Sequence, residues 1–270
     1  MDKYFFASEK MKVSLEIERE IIGVRFLKTE DQFNKSKAKK IRSKMPYCVM
    51  VKLASSGYHF KGNLSSVSCK GAIKALSLDS YKKETETGED YYSFGLYRDL
   101  DIAKEFATEM IYLEDKNYGI EVGALEKLTE EPDVVIIVTT PYNIMRIIQG
   151  YSYKFGHNDN YRISGNQAIC SECTAVPYLK NGMNVTMMCS GTRYSAGWKE
   201  EEMAVGFSRE QFIEVADGVY KSINGAETNR KKNNIIKKIK ESNLEEISIE
   251  INDAYFIRTQ KKAKEGENKS

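Results

Sequence analysis

The chain is poor in histidine, nearly neutral in net charge, and without a long hydrophobic run. Histidine occurs only as His59 and His157, each in a Gly- or Asn-rich stretch that suits a surface loop. A nucleophilic cysteine enzyme would therefore have little choice of imidazole base. The G-x-S-x-G, Walker and G-x-G-x-x-G signatures are absent, which removes the common hydrolase, phosphate-loop and dinucleotide readings. Lys plus Arg number 41 against 39 Asp plus Glu, a net charge of +2 over 270 residues, so the overall charge asks for no nucleic acid. The longest apolar run is "VVIIV" at 134–138, far below the roughly 20 residues that span a bilayer, and no membrane association is expected.

The first twenty residues scatter charge through any apolar stretch and contain no secretory core. The five cysteines are an odd number without an export signal, which argues against a disulfide framework and for reduced thiols in a cytoplasm. Reduced thiols are free to bind metal.

What is present reads as alternating strands and helices. "IIGVRFLK" (21–28) and the proline-bounded "PDVVIIVTTP" (132–141) suit strands, the second buried on both faces. Tyr47, Val51 and Ala54 recur at helical spacing before Gly57. "SCKGAIKALSL" (68–78) suits a helix with Ser68 near its N-cap, and "DLDIAKEFATEMIYL" (99–113) an amphipathic helix capped by Asp99 or Asp101. A helix is expected from Tyr142, a strand over 161–168, a helix over "CSECTAVPYL", a strand over 184–193 ending in a glycine turn, and a strand over 201–208 leading into another helix. Residues 80–95 suit a surface loop, and the six positive charges of "KSKAKKIRSK" (35–44), with no aromatic among them, a solvated basic loop. The expected fold is α/β or α+β, a mixed central sheet with packed helices, forming one domain over 1–228. The Lys- and Asn-rich 229–270 reads as an extension, partly disordered.

The cysteines fall at element junctions. Cys48 and Cys69 stand at expected helix starts, Cys170 and Cys173 in the first turns of another helix, and Cys189 at a strand end. Helix starts offer unpaired backbone N–H groups and partial positive charge, both of which favour thiolate. Gly71 and Gly191, two residues after Cys69 and Cys189, would let the backbone approach a bound group closely. Arg193, four residues past Cys189, suits a thiolate or an anionic ligand, with a surface salt bridge as the plainer reading; Glu201 and Glu202 follow nearby. Spacing alone leaves three readings open: a metal or cluster site, unrelated structural cysteines, or thiol redox chemistry at the C-x-x-C pair Cys170/Cys173. The last lacks the aromatic that usually precedes such a pair, having "NQAI" instead.

Four segments, "GVRFLK", "YCVMVKLASSGYHF…SCKGAIKALSL", "VVIIVTTPYNIMRIIQGY" and "GNQAICSECTAVPYLKNGMNVTMMCSGTR…EEMAVGFS", resemble the family called domain of unknown function 169 over roughly residues 20–225. The resemblance implies a shared set of Cys48, Cys69, Cys170 and Cys189, with Gly191, Arg193 and an acid at Glu201 or Glu202; Cys173 falls outside it. Such a set suits an iron–sulfur cluster, most simply [4Fe-4S], working with a redox partner protein or a small-molecule substrate in an anaerobe-like setting. A zinc staple in a non-catalytic binding module is the alternative. The chain departs from the family pattern at Met188, where a glycine is usual, and at Ser208, where a proline is usual. No reaction comes with the resemblance, and oligomeric state is left open.

Overall fold

The computed structural model describes residues 2–79 and 87–242. Seven strands form one sheet in the order β2-β3-β4-β1-β5-β7-β6. They are β1 (Ile22–Leu27), β2 (Lys39–Lys40), β3 (His59–Asn63), β4 (Gly119–Ala124), β5 (Val134–Thr139), β6 (Met183–Thr186) and β7 (Met203–Ser208). Only the short β2 runs parallel to its neighbour; every other pairing is antiparallel.

β5 shows why the sheet is central. Val134, Ile136 and Val138 point into one core while Val135 and Ile137 point into a second. A strand with side-chain period two and apolar residues at every position needs a layer on each face. One layer is made of α1 (Asp2–Leu15), α7 (Pro141–Phe155) and α10 (Arg209–Lys221). The other is built from short elements: α3 (Tyr47–Ala54), α4 (Lys70–Ala75), a π-helix at Ala168–Ala175 running into α8 (Val176–Lys180), and α9 (Ser190–Ala196).

The long-helix layer is closed by glycine. A Cβ on Gly218 would lie 2.1 Å from the Gly150 carbonyl oxygen, and one on Gly150 would lie 2.3 Å from Val219, so α7 and α10 meet backbone to backbone. Thr140 caps α7 by accepting from the Asn143 N–H, with Pro141 in the first turn, and Ser208 caps α10 by accepting from Gln211. Arg146 of α7, with no solvent exposure, donates to Glu227 at 2.6 Å.

Several sequence expectations need correction. Residues 161–168 form no strand. Ser164 bonds the backbone of Asn166, Gly165 has φ 72°, and the Asn184 side chain pairs with both the N–H and the C=O of Arg162, taking the place of a neighbouring strand. The helix expected over "CSECTAVPYL" is a π-helix for its first part. Its Thr174 hydroxyl reaches the carbonyl of Ile169, five residues back, at 2.6 Å, and its Cys173 carbonyl presses so closely on β7 that only glycine fits at Gly206. The strand from 184 ends at Thr186, and Cys189 opens α9 rather than a glycine turn.

Cys69, not Ser68, is the N-cap of α4. Within the expected 80–95 loop, α5 (Glu89–Ser93) is helical, while 80–86 lie outside the described residues. It is followed by α6 (Leu100–Glu109), capped by Asp99 as expected. The extension expected from 229 begins with α12 (Asn229–Glu241), which follows the short α11 (Ile223–Ala226) and buries Ile235 and Ile239 in a cluster with Val13, Tyr220 and Ile223. The disorder expected further on falls in 243–270, outside the described residues. His59 is no loop residue: it opens β3, and its Nε2 lies 2.7 Å from the fully buried Glu121, which Arg25 also pairs at 2.7 Å.

The two positions where the resemblance leads one to expect glycine and proline have defined local geometry. Met188 has φ 68°, the left-handed region that favours glycine, and holds it while 4% exposed. Ser208 donates its backbone N–H to the Gly182 carbonyl at 2.8 Å, a bond that a proline there would not make.

Candidate cysteine site

Short elements on one face of the sheet carry four of the five cysteines. Cys48 lies in the first turn of α3, Cys69 caps α4, Cys170 lies in the π-helix, and Cys189 caps α9. These positions span 142 residues of sequence, from 48 to 189. Two of the four thiols, Cys170 and Cys48, respond to the others. Burial pushes the Cys170 thiol well above its ordinary value, and the charges of Cys69, Cys189 and Cys48 push it further. Burial likewise raises Cys48 to about 11, opposed by a hydrogen bond from Thr192 and reinforced by Cys189 and Cys69.

Cys173, three residues from Cys170, has a different environment. It is fully buried, its thiol is raised by burial and then by Glu172, and no other cysteine contributes. Three residues in a π-helix are less than one turn, so Cys170 and Cys173 leave the helix in different directions. The C-x-x-C spacing thus places its two sulfurs in different surroundings.

Exposure grades across the four. Cys69 is exposed, Cys48 and Cys189 are half-buried, and Cys170 is buried. The Cys189 thiol donates to the Thr192 hydroxyl at 3.1 Å, and its sulfur accepts from the Thr192 backbone N–H at 3.3 Å. Thr192 therefore serves two cysteines, although sequence reasoning passed it over for its neighbours Gly191 and Arg193. The signal was available: a residue three after an N-cap is the one whose N–H meets the cap side chain.

The glycines play different parts. A Cβ on Gly71 would lie 3.1 Å from the side chain of Gln167, the left-handed residue that caps the π-helix, so Gly71 lets the Cys69 and Cys170 segments pack. A Cβ on Gly191 would meet nothing within 4 Å, leaving open space beside Cys189. Gln167 also carries a buried side-chain oxygen without a hydrogen-bond partner, and its backbone oxygen receives the Cys170 thiol at 3.6 Å.

Arg193 and Glu202, expected beside the bound group, have protein partners. The Arg193 guanidinium donates to the carbonyl oxygens of Met187 at 2.9 Å, Glu202 at 3.0 Å, and Lys199, fastening the chain on either side of α9. Glu202 is buried. Burial alone would raise its carboxyl, but the Lys199 N–H and Arg19 hold it below the usual carboxylate range. Its Arg19 partner and Lys52 both lie against the Trp198 ring, Lys52 at 3.9 Å from the centroid. Glu201 is exposed and reaches only Lys199, at 3.9 Å.

Four thiols without a carboxylate or imidazole would be a soft set of donors, the composition that suits zinc or iron–sulfur clusters rather than calcium or magnesium. Among the described residues no group of three or more His, Cys, Asp or Glu side chains is arranged to hold a metal ion. The charges of the other cysteines reach Cys48 and Cys170, but no three of the four thiols are arranged about one ion position. Also among the described residues, no helix is long and apolar enough to cross a membrane.

Residues 10–218 match the model of the family domain of unknown function 169, described as "Uncharacterised ArCR". The chain is also similar to a Methanocaldococcus jannaschii protein named "Uncharacterized protein MJ0308", with 22% identity over 214 residues that cover 78% of this chain and 91% of that protein. No solved structure matches.

Proposed function

The chain belongs to the domain of unknown function 169 family, and we propose that it holds an iron–sulfur cluster, most simply [4Fe-4S], through Cys48, Cys69, Cys170 and Cys189. The observation that carries this reading is selective convergence: four cysteines come from four separate segments on one face, and Cys69 and Cys189 raise the thiols of both Cys48 and Cys170, while no cysteine acts on Cys173. Unrelated structural cysteines would have no reason to meet at the starts of four short elements on one face.

Two further observations support it. Burial disfavours the free thiolates of Cys48 and Cys170, and a bound cation supplies the compensating charge. Gly191, two residues past Cys189, is exposed and puts no side chain in the way of a group bound there. Zinc on the same four thiols is the alternative, and metal analysis separates the two.

When bound, the group supplies single-electron transfer. The chain's own residues then have defined tasks. Thr192 holds Cys189 and lowers the Cys48 thiol, Gly71 and Gln167 set the Cys69 and Cys170 segments against each other, and Arg193 anchors α9. Cys69, the exposed sulfur, marks the side on which a redox partner protein or a small-molecule acceptor in the cytoplasm would approach.

Single Cys→Ala variants purified without oxygen test the assignment. Each of the four substitutions is expected to remove bound iron and visible colour, and Cys173→Ala to retain both. Iron retained in Cys69→Ala and lost in Cys173→Ala would overturn the choice of ligands.

A further inference from the structure

Four glutamates are buried in the described structure: Glu121, Glu172, Glu202 and Glu227. Three have a basic partner within the protein. Glu121 meets Arg25, Glu202 meets Arg19, and Glu227 meets Arg146. Glu172 is the exception. It is 4% exposed, its Oε1 accepts from the Ser164 N–H at 2.6 Å and the Ser164 hydroxyl at 2.9 Å, and its Oε2 accepts from the Thr186 hydroxyl. Those bonds orient the carboxylate, but among the described residues no Lys, Arg or His side chain pairs with it, and a buried carboxylate without a counter-charge is costly.

The same residue lines a cavity of about 230 Å³ between the π-helix and the chain following α6. Two other charged side chains line it, Glu109 and Arg162, and they face each other at 3.8 Å, which leaves Glu172 as the uncompensated charge. Much of the remaining wall is apolar, from Phe106, Met110, Ile111, Ile163 and Val176. An apolar pocket with one fixed charge selects a ligand with a complementary charge on an apolar body. The carboxylate sits in a π-helix, a distortion that often marks a functional site.

We propose that this cavity binds a small organic cation, a protonated aliphatic amine whose ammonium group meets the Glu172 carboxylate and whose chain lies against Phe106 and Val176. The proposal goes beyond the cluster reading and does not rest on it, because none of the four cysteines lines the cavity.

Calorimetric titration of the full chain with n-butylammonium chloride, 1-butanol and sodium butyrate tests it. The ammonium is expected to bind at least tenfold more tightly than either control, and Glu172→Gln to remove that preference. Equal affinity for amine and alcohol, no binding of the amine, or an unchanged preference in folded Glu172→Gln would overturn it. Should Glu172→Gln fail to fold, Ile163→Trp decides, because Ile163 is half exposed at the cavity wall. A tenfold loss of amine affinity in Ile163→Trp supports the site, and unchanged affinity refutes it. The same titration of Cys69→Ala is expected to give the wild-type result, so failure of the cluster reading leaves this one standing.

Discussion

The two faces of the sheet are built by different means. On one, three long helices pack on Val135, Ile137, Val205 and Phe207, close through glycine, and lock with the buried Arg146–Glu227 pair. On the other, the helices have eight residues or fewer, four of them carry cysteines in or before their first turn, and burial raises the Cys48 and Cys170 thiols. Long helices bury a continuous apolar stripe and contribute stability. Short ones bury less and expose more unpaired backbone donors for their length. The difference teaches that this fold separates its scaffold from the proposed cysteine site by sheet face, so damage to one should register differently from damage to the other.

The largest effect is expected on the scaffold face. Arg146→Ala leaves Glu227 buried without its partner and is expected to cost about 3–5 kcal/mol in denaturant unfolding, with iron per folded chain unchanged. Loss of iron at full stability would erase the division between the faces.

Alkaline pH is expected to act on the cysteine face. The Cys48 thiol stands at about 11 in the folded chain against an ordinary 9.0, so it is neutral in both folded and unfolded states below pH 9. Above pH 9 the unfolded chain ionises first, and the metal-free protein is expected to lose stability progressively between pH 9 and 11. Denaturation midpoints measured across that range check this, and a midpoint that rises with pH would contradict it. Metal binding displaces these protons, so affinity is expected to increase with pH over the same window.

Smaller effects sharpen the comparison. Thr192→Val removes the hydroxyl that meets Cys189 and is expected to cost about 1 kcal/mol. It should also raise the Cys48 thiol further, visible as slower alkylation at fixed pH. Cys69→Ala, at an exposed position, is expected to change metal-free stability by no more than about 0.5 kcal/mol while abolishing iron binding.

The sequence made the strands legible where burial is two-sided. β5 and β1 could be read from β-branched runs, and α3, α6 and α10 from spacing and caps. It misled at 161–168, because the partner of that segment is a side chain, Asn184, and no local pattern encodes it. The π-helix was likewise hidden, since its extra residue is set by the contact of Cys173 with Gly206, 33 positions away. The N-terminal helix α1 escaped for a related reason: its buried residues Tyr4, Ala7, Met11 and Leu15 gain meaning only against α10 and the sheet. Of the expected site residues, Cys48, Cys69 and Cys189 stand at helix starts as expected, and Gly71 packs against Gln167. Arg193 and Glu202 are engaged by the backbone and by Arg19, contacts that nearness in sequence to Cys189 does not reveal.

Iron, sulfide and zinc analysis of protein purified without oxygen, taken with its visible spectrum, tests the central proposal most directly. About four iron and four sulfide per chain, with broad absorption that bleaches in air, is the expected result for a [4Fe-4S] site. Stoichiometric zinc, or folded protein with neither metal, would contradict it.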